Sequence, residues 1–283
     1  MSEKICAVII TYNIDEKIIE VVKSIEYQVD KVIIVDNASE ERTIKILNSI
    51  NKNNKIKIIF EESNVGIAKA LNDGIKLAQK LEYDWVLTLD HDSICERNMI
   101  NKMINVSKLV NDNIGIITPQ IYETTKKDYI SRKVCDSSLY TYVKDCIQSG
   151  SLINIKVFDE IGFFNEELFI YHVDFDFCQR LLKKNYKVIQ CNKVTLYHEE
   201  GYKIPKKLFL KKVFYNNYSS TAIYYITRNT VYMAQNYRFT YMKRIIKDCL
   251  FIILYDKKRW QRLYYWNKGL CDGLLKRYGK LEI

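Results

Sequence analysis

Residues 85–93 read WVLTLDHDS: an uncharged and largely apolar run, Trp85 to Leu89, passes directly into Asp90, His91, Asp92 and Ser93. A run this short and this apolar fits a strand buried on both faces, as in a parallel sheet covered by helices. Polar residues at its carboxyl end stand where an open parallel sheet gathers its ligand. Working outward, the same pattern recurs. Ile5 to Ile10 leads into Thr11, Tyr12 and Asn13, Lys31 to Val35 into Asp36 and Asn37, and Ile56 to Phe60 toward Asn64, Val65 and Gly66; Ile114 to Thr118 is a fifth run. Between them the spacing predicts helices over about 15–27, 40–51, 66–80 and 96–110. In the third, Ile67, Ala70, Leu71, Gly74, Ile75 and Ala78 share one face. The order is βαβαβαβ, an α/β fold with a mostly parallel sheet and helices on both faces.

Farther along, Phe177, Cys178, Leu181 and Leu182 share a helical face that starts near Asp174 and ends at Lys183 and Lys184, and Tyr186 to Cys191 reads as a strand. Beyond Pro205 the pattern is helical. This divides the chain into a body, 1–204, and a helical extension, 205–283.

Charge supports the same division. Residues 201–283 carry 18 Lys/Arg against 4 Asp/Glu and hold 18 of the 36 aromatics, whereas residues 1–200 carry 26 against 30. A basic, aromatic extension points to an anionic partner, nucleic acid or a membrane surface. Its longest apolar piece, Cys249 to Tyr255, is far short of the roughly 20 residues of a membrane span. The eight cysteines stand at least 11 residues apart, so spacing draws no zinc knuckle and no redox pair. Nothing at the amino terminus has the pattern of a secretory leader, and a reducing cytoplasm is the expected setting.

The turn after the first run has no glycine, which argues against a dinucleotide-binding dehydrogenase. Asp90 and Asp92 can converge on one hard cation that holds a diphosphate; the structural alternative is a solvated turn with Asp92 or Ser93 capping a helix. Asp36 can accept hydrogen bonds from a nucleobase or ribose, or close an Asx turn. Asp174 can act as a general base toward a bound sugar, or cap its helix. His198, after the strand near 190, suits a divalent metal alongside carboxylates.

Five stretches in order, VIITYN (8–13), IVDNAS (34–39), SNVGIAKALNDG (63–74), LDHDS (89–93) and QSGS (148–151), resemble family 2 glycosyltransferases. Residues 168–180, with LYHEEG at 196–201, are similar to the bacterial rhamnosyltransferase branch. The resemblance covers residues 5–201 and implies a GT-A-type nucleotide-sugar-binding fold and inverting transfer. It implies that Thr11, Tyr12 and Asp36 hold base and ribose, that Asn13, Asn64, Gly66, Lys69, Asp90 and His91 border the nucleotide sugar, and that Asp90, Asp92 and His198 hold Mg²⁺ or Mn²⁺. Asp174 becomes the catalytic base, with Asp176 able to share or take the role, because the acidic residue common just before the base is here Val173.

The expected activity is transfer of a sugar, with L-rhamnose from dTDP-rhamnose favoured, to a polysaccharide or lipid-linked oligosaccharide. The alternatives are a UDP-hexose or galactofuranose donor, a nucleic-acid-binding protein and a catalytically silent scaffold. With the enzyme reading go no nucleic acid partner, peripheral contact with the inner face of the cell membrane through the extension, and room for a homodimer.

Overall fold

The computed structural model describes residues 3–50, 54–130, 138–199, 203–208 and 211–282, with backbone alone over the two stretches between 203 and 216. Glu200, Gly201, Phe209 and Cys135 lie outside the described residues, as do the side chains of Lys206, Lys207, Lys211, Lys212 and Phe214. Two compact units result: Met1–Asn165 with Val173–Glu199, and Glu166–His172 with Glu200–Ile283. The second begins close to residue 205 but also takes in the seven residues that precede Val173.

The first unit runs β1 (Ile5–Thr11), α1 (Lys17–Ile25), β2 (Lys31–Asp36), α2 (Glu41–Ile50), β3 (Ile56–Phe60), α3 (Ile67–Lys80), β4 (Trp85–Asp90), β5 (Ile94–Cys95) and α4 (Met99–Ser107). It continues through β6 (Ile114–Glu123), β7 (Asp128–Tyr129), β8 (Tyr140–Val143), β9 (Ser151–Asn154), α5 (Val157–Ile161), α6 (Val173–Lys183) and β10 (Lys187–His198). The sheet order is β3-β2-β1-β4-β9-β6-β10-β5, with β7 beside β6 and β8 beside β10. Strands β1 to β4 are parallel, as is β6 with β10, and β9 enters antiparallel between β4 and β6.

All seven residues of β1 are buried, as expected of a largely apolar run when helices cover both faces. Helix α3 packs its predicted stripe inward, and at Gly74 the approach is close enough that a Cβ would stand 2.5 Å from Val8 Cγ1. Only glycine lets α3 lie this near β1.

The second unit differs from a purely helical reading. Residues beyond Pro205 first form an antiparallel hairpin, β11 (Lys203–Leu208) and β12 (Lys211–Asn216). Helices α7 (Ser220–Asn236), α8 (Met242–Tyr255) and α9 (Arg259–Leu274) follow. The Ser219 hydroxyl caps α7 by accepting from Ala222 N at 3.1 Å. On α7, Arg228 is fully buried; its guanidinium donates to Gly279 O (2.6 Å), Leu168 O (2.9 Å) and Glu167 O (3.1 Å) and lies 5.0 Å from the Tyr225 ring. Asn229 Nδ2 donates to the carbonyls of Leu168, Ile170 and Tyr171 at 2.8 to 2.9 Å, and His172 Nε2 is 3.0 Å from Thr230 Oγ1. These bonds hold a segment in which Phe169, Tyr171 and His172 all have φ above +60°. Each such non-glycine residue costs about 1–2 kcal/mol, so the segment keeps its shape only because α7 satisfies it.

Among the described residues no helix is long and apolar enough to cross a membrane.

Candidate active site

The carboxyl ends of β1, β2 and β4 place most of the sequence-predicted residues together. Thr11 Oγ1 donates to Asp36 Oδ1 at 2.9 Å, and Ser39 donates to the same carboxylate from its hydroxyl (2.6 Å) and its backbone N (2.9 Å). Thr11 and Asp36 are 0% and 1% exposed, each already hydrogen-bonded within this turn. Their polar atoms are used in fixing the turn after β2, and they form the floor of the site. Asn13, with φ of 50°, accepts from Glu40 N at 2.8 Å and joins that turn to β1. Tyr12 stands open at 46% exposure.

Asn37 Oδ1 accepts from Val65 N (2.7 Å), and Asn64 Oδ1 from Gly66 N (3.1 Å), whose φ of 85° starts α3. That φ is a glycine conformation. Lys69 Nζ is held at 2.5 Å from Asp73 Oδ2, one turn farther along α3. Its charge is thus committed to a neighbour, which the sequence expectation did not include.

Beyond β4 lies the densest polar cluster. One ligand atom from each of Asp90, Asp92 and His198 falls within 4.8 Å of the others. Sheet register explains why residue 198 is here: Tyr197 pairs with Ile94 antiparallel, which sets His198 beside Ser93. His198 Nδ1 is 2.9 Å from Ser93 Oγ and 3.2 Å from Asp92 Oδ1. Ser149 Oγ accepts from Asp90 N at 3.0 Å and meets Ser93 Oγ at 2.7 Å, while Gln148 Nε2 donates to Asp90 Oδ1.

Burial, then the Asp92 charge, pushes Asp90 up to about 7. Burial also acts to raise Asp92, but the hydrogen bond and charge of His198 outweigh it and hold that carboxyl below its usual range. Half-buried His91 is lowered by burial, against the pull of Asp92. Two crowded carboxylates beside an imidazole form a donor set that fits a divalent cation, whose charge would relieve the repulsion between them.

Asp174 opens α6 and accepts from Phe175 N at 2.8 Å. Burial pushes it up to about 6 in spite of backbone donors at Phe175, Asp174 and Gln148, and its charge is felt at Asp90. Asp176 is different. It is 0% exposed, with Oδ2 2.9 Å from Arg180 Nε, and Arg180 also donates to Ile161 O (2.7 Å) and Phe163 O (2.8 Å). Asp176 is thus covered and ion-paired with Arg180, whereas Asp174 is the carboxyl whose charge is felt at Asp90.

The sequence assigns residues 148–151 no individual roles and offers Ser93 only as a helix cap, whereas the fold sets Ser93 between Ser149 and His198. Gln148 and Ser149 reach Asp90 across separations of 58 and 59 residues, which no local pattern reveals. The fold brings Cys146 Sγ and Cys178 Sγ to 3.8 Å as free thiols, a proximity across 32 residues that spacing does not show. Because Gln148 orients a candidate metal ligand, Gln148→Ala is expected to weaken metal-dependent donor binding by about 10- to 100-fold, measurable by titration calorimetry with Mn²⁺.

Residues 6–162 match the family model Glycosyl transferase family 2, more than half of the chain. The chain is 29% identical over 202 residues to the dTDP-rhamnosyl transferase RfbF of Shigella flexneri, an alignment spanning 67% of this chain and 66% of RfbF. Among solved structures, GalNAc-T7 with UDP, GalNAc and Mn²⁺ superposes with a TM-score of 0.63 at 14% identity, covering 96% of this chain and 55% of that one. S. aureus TarS 1-349 in complex with UDP-GlcNAc gives 0.58 at 15% identity, covering 96% and 80%. The sheet is accordingly of the GT-A kind, and the chain belongs to glycosyl transferase family 2.

Proposed function

We propose that the protein is an inverting glycosyltransferase that moves L-rhamnose from dTDP-rhamnose onto a growing surface polysaccharide or a lipid-linked oligosaccharide. The observation that carries the transferase reading is the Asp90, Asp92 and His198 cluster at the carboxyl end of β4, with a second, raised carboxyl at Asp174 whose charge reaches it. Departure of a nucleoside diphosphate builds negative charge on the phosphate. A Mg²⁺ or Mn²⁺ ion held by Asp90, Asp92 and His198 would neutralise that charge.

The chain's own residues supply the rest. Gln148 and Ser149 fix Asp90, Ser93 fixes His198, and Tyr12 offers an open ring beside the floor built by Thr11 and Asp36. Asp174, ionised above about pH 6, takes the proton of the attacking acceptor hydroxyl. One base on the face opposite the leaving group is sufficient for inversion.

The similarity to RfbF supports the rhamnosyl donor. A UDP-sugar donor is the second reading, favoured by the likeness to TarS with UDP-GlcNAc. The test is release of nucleoside diphosphate from dTDP-rhamnose, UDP-GlcNAc and UDP-galactofuranose in Mn²⁺. Preferential turnover of dTDP-rhamnose is expected, and preferential turnover of either UDP-sugar would replace the donor assignment.

A further inference from the structure

Helix α8 carries apolar residues on both of its sides. Ile245 and Ile252 are buried at 3% and 2%, whereas Ile246, Leu250 and Leu254, spaced four apart, are 61%, 52% and 56% exposed. Ile253 adds to the outward stripe, and Trp260 at the start of α9 is 80% exposed. Folding of the second unit therefore leaves this stripe bare. A contiguous bare apolar stripe on a helix is uncommon without a partner.

The charges around the stripe are of one sign. Lys243 and Lys247 lie on the same side of α8 as Leu250 and Leu254, and Lys257, Lys258 and Arg259 extend the exposed positive charge to Trp260. Between Arg238 and Trp266 the acidic residues are Asp248 and Asp256. Asp248 is ion-paired with Arg244 at 3.5 Å on the flank of α8, and Asp256 is buried against Arg262. Both carboxylates are thus ion-paired, and the face formed by α8 and the start of α9 offers to solvent aliphatic side chains, the Trp260 indole and the five cations Lys243, Lys247, Lys257, Lys258 and Arg259.

We propose that this face of α8 and the start of α9 is a docking surface for a bilayer of anionic phospholipid. Aliphatic side chains at four-residue spacing match the acyl boundary, and the indole of Trp260 suits the headgroup level. The cations match the phosphates, each contributing about fivefold to partitioning. A second copy of the chain is a poor occupant, because a two-fold contact would set these cations against their own copies. The proposal does not depend on which sugar is transferred.

The test uses the full chain in flotation with vesicles of phosphatidylcholine, with and without phosphatidylglycerol. Wild-type protein is expected to float with the anionic vesicles at low salt and to be released as salt rises. Replacing Lys243, Lys247, Lys257 and Lys258 by Gln together is expected to lower partitioning by more than ~100-fold. Replacing Ile246, Leu250 and Leu254 by Gln is expected to abolish the blue shift of Trp260 emission on anionic vesicles. All seven positions are exposed, so thermal unfolding should match wild type in both variants. Equal binding to the two vesicle types, no binding at low salt, or variants that bind like wild type would overturn the proposal. So would a concentration-dependent dimer that the apolar variant breaks without any vesicle binding.

Discussion

Asp174→Asn is expected to lower sugar transfer by roughly 10²- to 10⁴-fold while leaving nucleotide-sugar binding in place. The amide keeps the size of the carboxyl and can still accept from Phe175 N, but it cannot take a proton from an acceptor. The pH profile offers a second readout. Burial raises Asp174 to about 6, so the base is protonated below that pH and wild-type activity should fall about tenfold per unit on the acid side. Asp174→Asn should lose this limb. A carboxyl raised by folding favours the folded state at low pH, and that contribution disappears as pH rises through about 6. The variant is therefore expected to be at least as stable as wild type at neutral pH, which separates lost chemistry from lost fold. Asp176→Asn should do the reverse, lowering stability because Arg180 loses its buried partner. Near-normal transfer by Asp174→Asn would remove the base assignment.

Asp92→Ala and His198→Ala are each expected to reduce turnover by at least ~100-fold, and a chelator should reproduce the loss in wild type. The scale follows from the several kcal/mol of transition-state charge stabilisation that a divalent cation supplies, at 1.4 kcal/mol per tenfold. Both side chains are partly exposed at the mouth of the site, with side-chain exposures of 25% and 13%, so unfolding midpoints should change little. Full activity in chelator would contradict the metal assignment, whatever the variants do.

The strands that build the site were legible because each is a short apolar run ended by polar residues: the runs from Ile5, Lys31, Ile56 and Trp85 are β1 to β4 within a residue or so. Residues 151–154 gave no such signal. Strand β9 is four residues long and takes its place between β4 and β6 through pairing partners tens of residues away. The spacing beyond Pro205 predicts helix, whereas 203–208 and 211–216 are antiparallel strands whose identity rests on pairing between two lysine-rich segments. In the site, Asp90, Asp92 and His198 could be named because carboxylates after a buried strand and a histidine after another carry a chemical meaning of their own. The Lys69–Asp73 ion pair is a local contact at four-residue spacing along α3, whereas burial of Asp36 under Thr11 and the support of Asp90 by Gln148 are tertiary facts. Composition and spacing do not encode them.

If Asp90, Asp92 and His198 hold the donor through a divalent ion while Asp174 acts only on the proton, donor binding depends on the metal and not on Asp174. Calorimetric titration of dTDP-rhamnose into wild type and Asp174→Asn, each in Mn²⁺ and in chelator, separates the two roles. One-site binding in Mn²⁺ is expected for both proteins, weakened at least ~10-fold by chelator in both. Equal affinity in Mn²⁺ and chelator, or loss of binding in Asp174→Asn, would contradict this division of roles.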